Sequence, residues 1–258
     1  GGTMGIKDLF GGNKKKTAFR EKAKEVMADG KIVPGKAEQL ARAAKEHEID
    51  NPADDKTMLR REIYNKAAAN VKGRGKLTEV ESGELAKIQK FLALRDDQVE
   101  KTKWDLAKLR QLTEIRQGRL PVVPSNSAAL RGVQLQPGEV PHYCVQVDML
   151  DRPTTGGHEG VRVKWEAPYT INSALGHTLP AEGAKEVGEG YLFITNKRLF
   201  FKGASRSAAV EYSPQANFFL YAEGLRLERT VGHTLLRFKS KSNETAEIVG
   251  ELLSALMR

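Results

Sequence analysis

The chain has 258 residues, of which 40% are hydrophobic and 29% charged, so it is long and apolar enough for two ordinary domains with well-formed cores. Its 42 Lys and Arg outnumber its 33 Asp and Glu, and the net charge of +9 favours acidic partners such as nucleic acid, anionic lipid or an acidic protein surface. The single cysteine, Cys144, excludes an internal disulfide framework and a multi-cysteine metal site. It indicates a reducing compartment and therefore predicts a cytoplasmic protein.

The sequence predicts no membrane-spanning segment. No stretch approaches the roughly 18 consecutive apolar residues of a membrane span, and the first residues lack the apolar core of a secretory signal. A membrane contact is therefore expected to be peripheral, at the inner face of the membrane. Gly1, Gly2 and Thr3 resemble the remnant of a cleaved tag, so we expect the natural chain to begin at Met4.

Residues 4–16 are predicted to be a basic N-terminal tail. Apolar residues at helical spacing followed by lysines suit an anionic membrane surface, where each basic residue contributes about 1 kcal/mol. The same pattern also fits a terminus whose apolar side chains pack on a neighbouring helix or protomer. The candidate membrane or partner contacts of the tail are Ile6, Leu9, Phe10, Lys14, Lys15 and Lys16.

Residues 17–118 are predicted to form a helical domain, because they are rich in Ala, Lys, Glu, Leu and Arg and carry leucines at helical spacing. An internal repeat relates residues 29–40 to residues 74–85, an offset of 45 residues. Each copy has a glycine that can end one helix, and in the second copy Thr78 and Glu81 offer a capping box for the next. Two copies therefore predict two helix-turn-helix hairpins with four or five helices.

The two repeat turns, Asp-Gly-Lys-Ile and Gly-Lys-Leu-Thr-x-x-Glu, resemble those of the tellurite-resistance TerB-like helical domains over roughly residues 17–117. The chain lacks the acidic pairs that such domains offer to a metal. A calcium loop needs several oxygen ligands, yet one turn has only Asp29 and the other has Arg74 in its place. The acidic residues 50–55 surround a proline, as a helix N-terminus requires. We therefore predict no metal site.

Residues 119–137 are predicted to be a linker, because prolines at positions 121, 124 and 137 stand among Ser, Asn and Gly. From residue 138 onward, short β-type runs alternate with glycine turns and end in a helical stretch at residues 243–257. The predicted strands lie near 139–150, 159–166, 189–195, 198–202, 207–212, 217–222, 225–230 and 234–239.

The clearest β signal is the segment 188–203, in which two alternating apolar runs flank a polar turn at Asn196 and Lys197 that tolerates left-handed geometry. Its pattern G-x-L-x-I-T-N-x-R-L-x-F-x-G resembles the hairpin of bacterial pleckstrin-homology-like and GRAM domains. The resemblance covers residues 138–258 and implies a bent antiparallel sheet of about seven strands closed by a C-terminal helix. The fold class predicted for the chain is therefore α+β, an all-α helical-hairpin domain followed by this sheet domain.

The resemblance implies a domain that binds partners and does not transform substrates. Unlike lipid-binding relatives, the chain lacks a Lys-x-n-Arg phosphate clamp between its first strands, and the nearest substitute is the alternating pair Arg162 and Lys164. These two side chains suit a phosphate group, and they equally suit a solvated strand face.

No catalytic residues and no cofactor are predicted. The histidines show no metal-binding spacing, no serine lies in a Gly-x-Ser-x-Gly elbow, and no glycine loop is completed for phosphate binding. We expect a non-enzymatic adaptor that binds a protein partner, with an anionic membrane surface as a second contact. One alternative is a nucleic-acid-binding protein, although its helical aromatics, including Trp104, are predicted to be core. Another is an enzyme whose site is built from residues distant in sequence.

Overall fold

The computed structural model describes residues 6–29, 31–151, 159–228, 233–239 and 242–258, and all their side chains except those of 6–13, 242 and 243. The chain divides into two compact units, Gly1–Thr113 and Glu114–Arg258. The first is helical, and the second contains an antiparallel sheet and a closing helix. The predicted α+β class is confirmed.

The described part of the first unit contains five α-helices. They are α1 (Ile6–Ala28), α2 (Lys36–Glu46), α3 (Thr57–Arg74), α4 (Glu79–Phe91) and α5 (Glu100–Arg116), the last of which extends past the unit boundary. Their apolar stripes meet in one core, because each helix carries hydrophobic residues at helical spacing on a single side. The core includes Phe19, Leu40, Ile63, Tyr64 and Leu85.

The second repeat turn has the predicted geometry. Helix α3 ends at Gly75, whose φ of 63° lies in the left-handed region that favours glycine. The capping box of α4 is formed: Glu81 N–H donates to Thr78 Oγ1 at 3.3 Å, and Thr78 N–H donates to Glu81 Oε2 at 2.9 Å. The corresponding turn at Gly30 lies outside the described residues.

Eight strands form one sheet within the described part of the second unit. They are β1 (Pro141–Leu150), β2 (Val161–Val163), β3 (Glu186–Thr195), β4 (Arg198–Gly203), β5 (Ser207–Glu211), β6 (Phe218–Tyr221), β7 (Gly224–Glu228) and β8 (His233–Phe238). Their order is β2-β6-β7-β8-β1-β3-β4-β5, with every neighbouring pair antiparallel. Each predicted strand is present. The second is shorter than predicted because Lys164 begins a turn, in which its carbonyl accepts from Ala167 N–H.

The inner face of the sheet is covered by helix α6 (Ser242–Leu256), close to the predicted 243–257. Val249, Leu252 and Leu253 of the helix are fully buried. They pack with the inward side chains of the strands, among them Leu192 and Phe201. The helix therefore completes the core of the second unit, as one layer of helix on a sheet does.

The hairpin between β3 and β4 is confirmed, but its turn differs from the prediction. Neither Asn196 nor Lys197 has a positive φ. Instead, the Asn196 side chain accepts from Val140 N–H at 2.7 Å and donates to the Gly138 carbonyl at 3.0 Å. Asparagine is thus required here for side-chain hydrogen bonds to the segment before β1 and not for left-handed backbone.

The predicted linker, residues 119–137, lies along the second unit. Its hydrogen bonds include Val123 N–H to the Pro141 carbonyl at 2.8 Å and Lys197 Nζ to the Pro137 carbonyl at 2.6 Å. Arg198 also donates to the carbonyl of Gln134 at 3.2 Å. The prolines remove backbone donors, but the carbonyls remain free to accept these bonds. The segment is therefore attached to the start of β1 and to the turn and second strand of the β3–β4 hairpin.

Candidate functional site

The predicted N-terminal tail is the first part of a long helix. Helix α1 runs without interruption from Ile6 to Ala28, so residues 6–16 are helical. The side chains of Ile6, Leu9 and Phe10 lie outside the described residues, and their role as contacts stays a prediction.

The lysine run of this helix makes contacts within the first unit. Lys15 forms an ion pair with Glu48, and Lys16 Nζ donates to the Asp54 carbonyl at 3.0 Å. The hydrogen bond from Lys15 lowers the pKa of Glu48. One turn further along, Arg20 holds Asp55 with two hydrogen bonds of 2.6 Å each. Of the three predicted lysine contacts, Lys14 has no such bond to the described residues.

Arg162 and Lys164 lie at one end of the sheet. Arg162 is exposed on β2, directly opposite Phe219 of β6, and Lys164 is exposed just after the strand. On the other side of Phe219, the Arg226 guanidinium stacks 4.2 Å from the centre of the ring. Arg226 also pairs with Glu228 at 3.2 Å. Arg226 could not be identified from the sequence, because only the register of β6 and β7 places it beside Phe219.

The first unit contains a groove within its described residues. It has a volume of about 370 Å³ and lies between side chains of α3, α4 and α5. Its apolar floor and walls are formed by Tyr64, Leu77, Leu85, Leu106, Ala86 and Ala107. Ala86 and Ala107 are exposed. The groove stays open at these positions because a methyl group is too short to fill it. We call this feature the helical groove.

The rim of the helical groove carries polar and basic side chains. Lys103 and Arg110 lie two turns apart on α5 and both line the opening. Lys103 Nζ is 2.5 Å from Asp96 Oδ1, which also accepts from Gln89 Nε2 at 2.9 Å. These hydrogen bonds, the one from Lys103 above all, lower the pKa of Asp96. The opening is thus apolar inside and bordered by polar and basic side chains, of which Lys103 is paired with Asp96.

The prediction that Trp104 is a core residue is wrong, because 49% of its surface is exposed. The buried side of α5 is occupied by Leu106, Leu109 and Leu112. Trp104 is two residues before Leu106, so it lies about 200° away around the helix axis and points away from the buried side. It lies one turn before Ala107, on the same side of α5.

The ionisable groups with shifted pKa values belong to structural networks. Burial would raise the pKa of Glu139, but hydrogen bonds from Arg198, Gln136 N–H and Thr195 lower it below its ordinary value. Burial raises the pKa of Tyr169 to about 12, and its hydroxyl donates to Glu247 at 3.1 Å. Burial also raises the pKa of the half-buried Cys144 thiol, which reduces its reactivity.

Within the described ranges, no group of three or more His, Cys, Asp or Glu side chains could hold a metal ion. Among the described helices, none combines the length and the apolar character needed to cross a bilayer. Comparison with models of protein families finds no match, and no curated protein matches the chain.

Proposed function

We propose that the protein is a non-enzymatic adaptor whose helical groove binds an amphipathic helix of a protein partner. The groove itself carries the proposal, since an apolar floor and a polar rim are typical of sites that accept a helix. The space is only partly enclosed, so one side of a ligand would remain in solvent, as it does for a helix that lies in a groove.

The dimensions of the groove support a helical ligand. The groove lining runs from Ser82 to Gln89 on α4 and from Lys103 to Arg110 on α5, about 10 Å along each helix, which is enough to contact two turns of a second helix. Such a helix would insert apolar residues at positions i, i+3, i+4 and i+7. Polar residues along its edge would face the polar side chains of the rim, such as Gln89 and Lys103.

The second unit supports the adaptor part of the proposal. An antiparallel sheet closed by one C-terminal helix is the arrangement that the resemblance to pleckstrin-homology-like domains implies. Domains of that kind act through binding. We therefore assign the second unit to a separate contact, so that the chain joins two partners.

The experiment selects peptides on the protein from a displayed library of amphipathic helices of about 16 residues, with randomised charged positions. A subset of these amphipathic peptides is expected to be enriched over the starting library. Ala107→Trp and Ala86→Trp each place a large ring in the groove and should weaken binding of the enriched peptides about 10-fold or more. Ala69→Trp, at an exposed alanine of α3 outside the groove lining, is the matched control and should bind as the wild type does.

Failure to enrich any helical peptide would contradict the proposed function. The same holds if the two groove variants bind the enriched peptides as tightly as Ala69→Trp does. Circular dichroism of all three variants checks that they remain helical, which exposed alanine positions on helices permit.

The anionic membrane surface remains the second contact of the proposal. Co-sedimentation with vesicles containing phosphatidylglycerol is expected to fall when Lys14, Lys15 and Lys16 are all replaced by Gln, and to fall again as salt rises, because surface attraction is screened. The exposed ion pair of Lys15 with Glu48 contributes little to stability, so the variant should stay folded. Vesicle binding that is equal in the variant and the wild type would exclude this contact.

A further inference from the structure

The second unit presents an unpaired strand edge beside a cleft. Strand β5 is the last strand of the sheet and pairs only with β4 in the described part of the chain. Next to it lies a cleft of about 470 Å³, between the outer face of β4 and β5 and the segment Gly132–Gln134. The outward side chains of β5 in the cleft are Ser207 and Ala209, which are too small to fill it.

The walls of this cleft are fixed before any ligand binds. Arg198 donates to Glu139 at 2.8 and 3.1 Å and to the Gln134 carbonyl at 3.2 Å. Glu139 also accepts from Gln136 N–H at 2.7 Å. Because these bonds hold the segment against β4, a ligand would not need to order it, and a preorganised site costs less entropy on binding.

The cleft is basic at its open end. Lys202 is exposed on β4 and lines the cleft, and no hydrogen-bond or ion-pair partner is found for it among the described residues. Arg131, next to the wall segment, is also exposed. The Arg198 guanidinium, already neutralised by Glu139, covers the ring of Phe200 at 4.6 Å. Glu211, at the other end of β5, is also exposed, so the positive charge available to a ligand lies at the Ser207 end of the strand, beside Lys202.

We propose that β5 and this cleft bind an extended, acidic segment of a partner protein, which adds to the sheet as a further strand. An unpaired edge offers backbone hydrogen bonds to an extended chain, and pockets for alternate side chains give selectivity. A side chain opposite Ser207 or Ala209 would lie about 5 Å from it, on the same face. Since neighbouring strands are about 4.8 Å apart, a Glu side chain there can extend over the small residue to Lys202.

This site is separate from the helical groove, which lies in the first unit and takes a different ligand conformation. A failure of helix binding at the helical groove would therefore leave this proposal unaffected, and the reverse also holds. It also assigns to the second unit a contact with a protein segment recognised by backbone pairing and charge, in addition to the membrane contact proposed for the lysine run.

The test uses a displayed library of short peptides with Glu at alternate positions and randomised residues between, selected on the full-length protein. Enriched peptides should lose about 10-fold or more in affinity with Ala209→Tyr, which fills the cleft, and with Lys202→Glu, which reverses its charge. Ala69→Tyr and Lys185→Glu, exposed positions outside the cleft, are the matched controls and should bind normally. Ala107→Trp, in the helical groove, should also bind normally.

Hydrogen exchange supplies the second measurement. Bound peptide should slow exchange of the amides of Ser207, Ala209 and Glu211, which by the register of β4 and β5 point to the unpaired edge, whereas those of Ala208 and Val210 point to β4. The proposal is overturned if no acidic extended peptide is enriched, if Ala209→Tyr and Lys202→Glu both bind like their controls, or if β5 gains no protection. It is also overturned if Lys202→Glu abolishes binding to phosphatidylglycerol vesicles while peptide binding is absent, because the ligand would then be a membrane.

Discussion

Replacing Arg198 with alanine should lower the free energy of unfolding of the second unit by about 3 kcal/mol, because removing one partner of a buried ion pair leaves an uncompensated charge. The Glu139 side chain is completely buried, and only 19% of the Arg198 side chain is exposed. The variant also loses the stacking of the guanidinium on Phe200. Arg206→Ala, at an exposed arginine of the same unit, is the control and should change stability little.

The pH dependence of stability shows whether Arg198→Ala loses stability through the broken ion pair with Glu139 or only through lost packing of the Arg198 side chain. The pKa of Glu139 is lowered in the folded state, so its contribution is present above the unfolded pKa of about 4.3 and is lost as pH falls through the folded pKa. The wild type should therefore lose more stability than Arg198→Ala between about pH 5 and about pH 3.

The measurement is urea unfolding followed by the fluorescence of Trp165, which packs against the core of the second unit. It is made in a Trp104→Phe background, since Trp104 is exposed in the first unit and its signal would interfere. If Arg198→Ala and the background protein lost the same free energy of unfolding over this pH range, the lowered pKa of Glu139 would not depend on Arg198.

Gly190→Ala should destabilise the second unit by about 2–3 kcal/mol, although it adds only one methyl group. Gly190 lies on β3 opposite Gly203 of β4, and a Cβ at Gly190 would lie 2.7 Å from the Gly203 Cα. Its nearest contact, the carbonyl oxygen of Lys202, is closer still. Both are backbone atoms, so the strands themselves must move apart.

Two residues earlier on the same strand, Gly188 provides the control, because a Cβ there would meet nothing within 4 Å. Gly188→Ala should therefore be neutral or stabilise by up to about 0.5 kcal/mol, through the lower entropy of the unfolded chain. The comparison is made by the same urea unfolding. Equal stability of the two variants would contradict the conclusion that β3 and β4 are too close at Gly190 to admit a methyl group.

The strands of the second unit could be predicted because each is a short apolar run bounded by glycine or polar turn residues, even where, as in β3 and β4, consecutive residues are buried on both faces. The hairpin around Thr195 is the clearest case. Its turn was predicted less well, because Asn196 has two roles that look alike in sequence, left-handed backbone and side-chain hydrogen bonding. The choice between them depends on residues 138–140, more than 50 positions away.

The candidate sites could be predicted only in part. The lysine run was visible as a charge cluster, but the bonds of Lys15 and Lys16 to residues 33 and 38 positions away depend on how the helices pack. The helical groove is formed by three helices, and alanines such as Ala86 and Ala107 carry no signal of their own. Trp104 was misassigned because residues only two positions apart on a helix fall on opposite sides.

The most direct test of the central claim, that the helical groove is a binding site for a partner helix, is hydrogen exchange on the protein with and without a peptide enriched in the helix selection. The predicted result is slower exchange in Glu79–Phe91 and in the part of α5 from residue 100 to residue 113. This protection should be smaller in Ala107→Trp and unchanged in Ala69→Trp. Protection confined to other parts of the chain, with exchange in α4 and α5 unchanged, would contradict it.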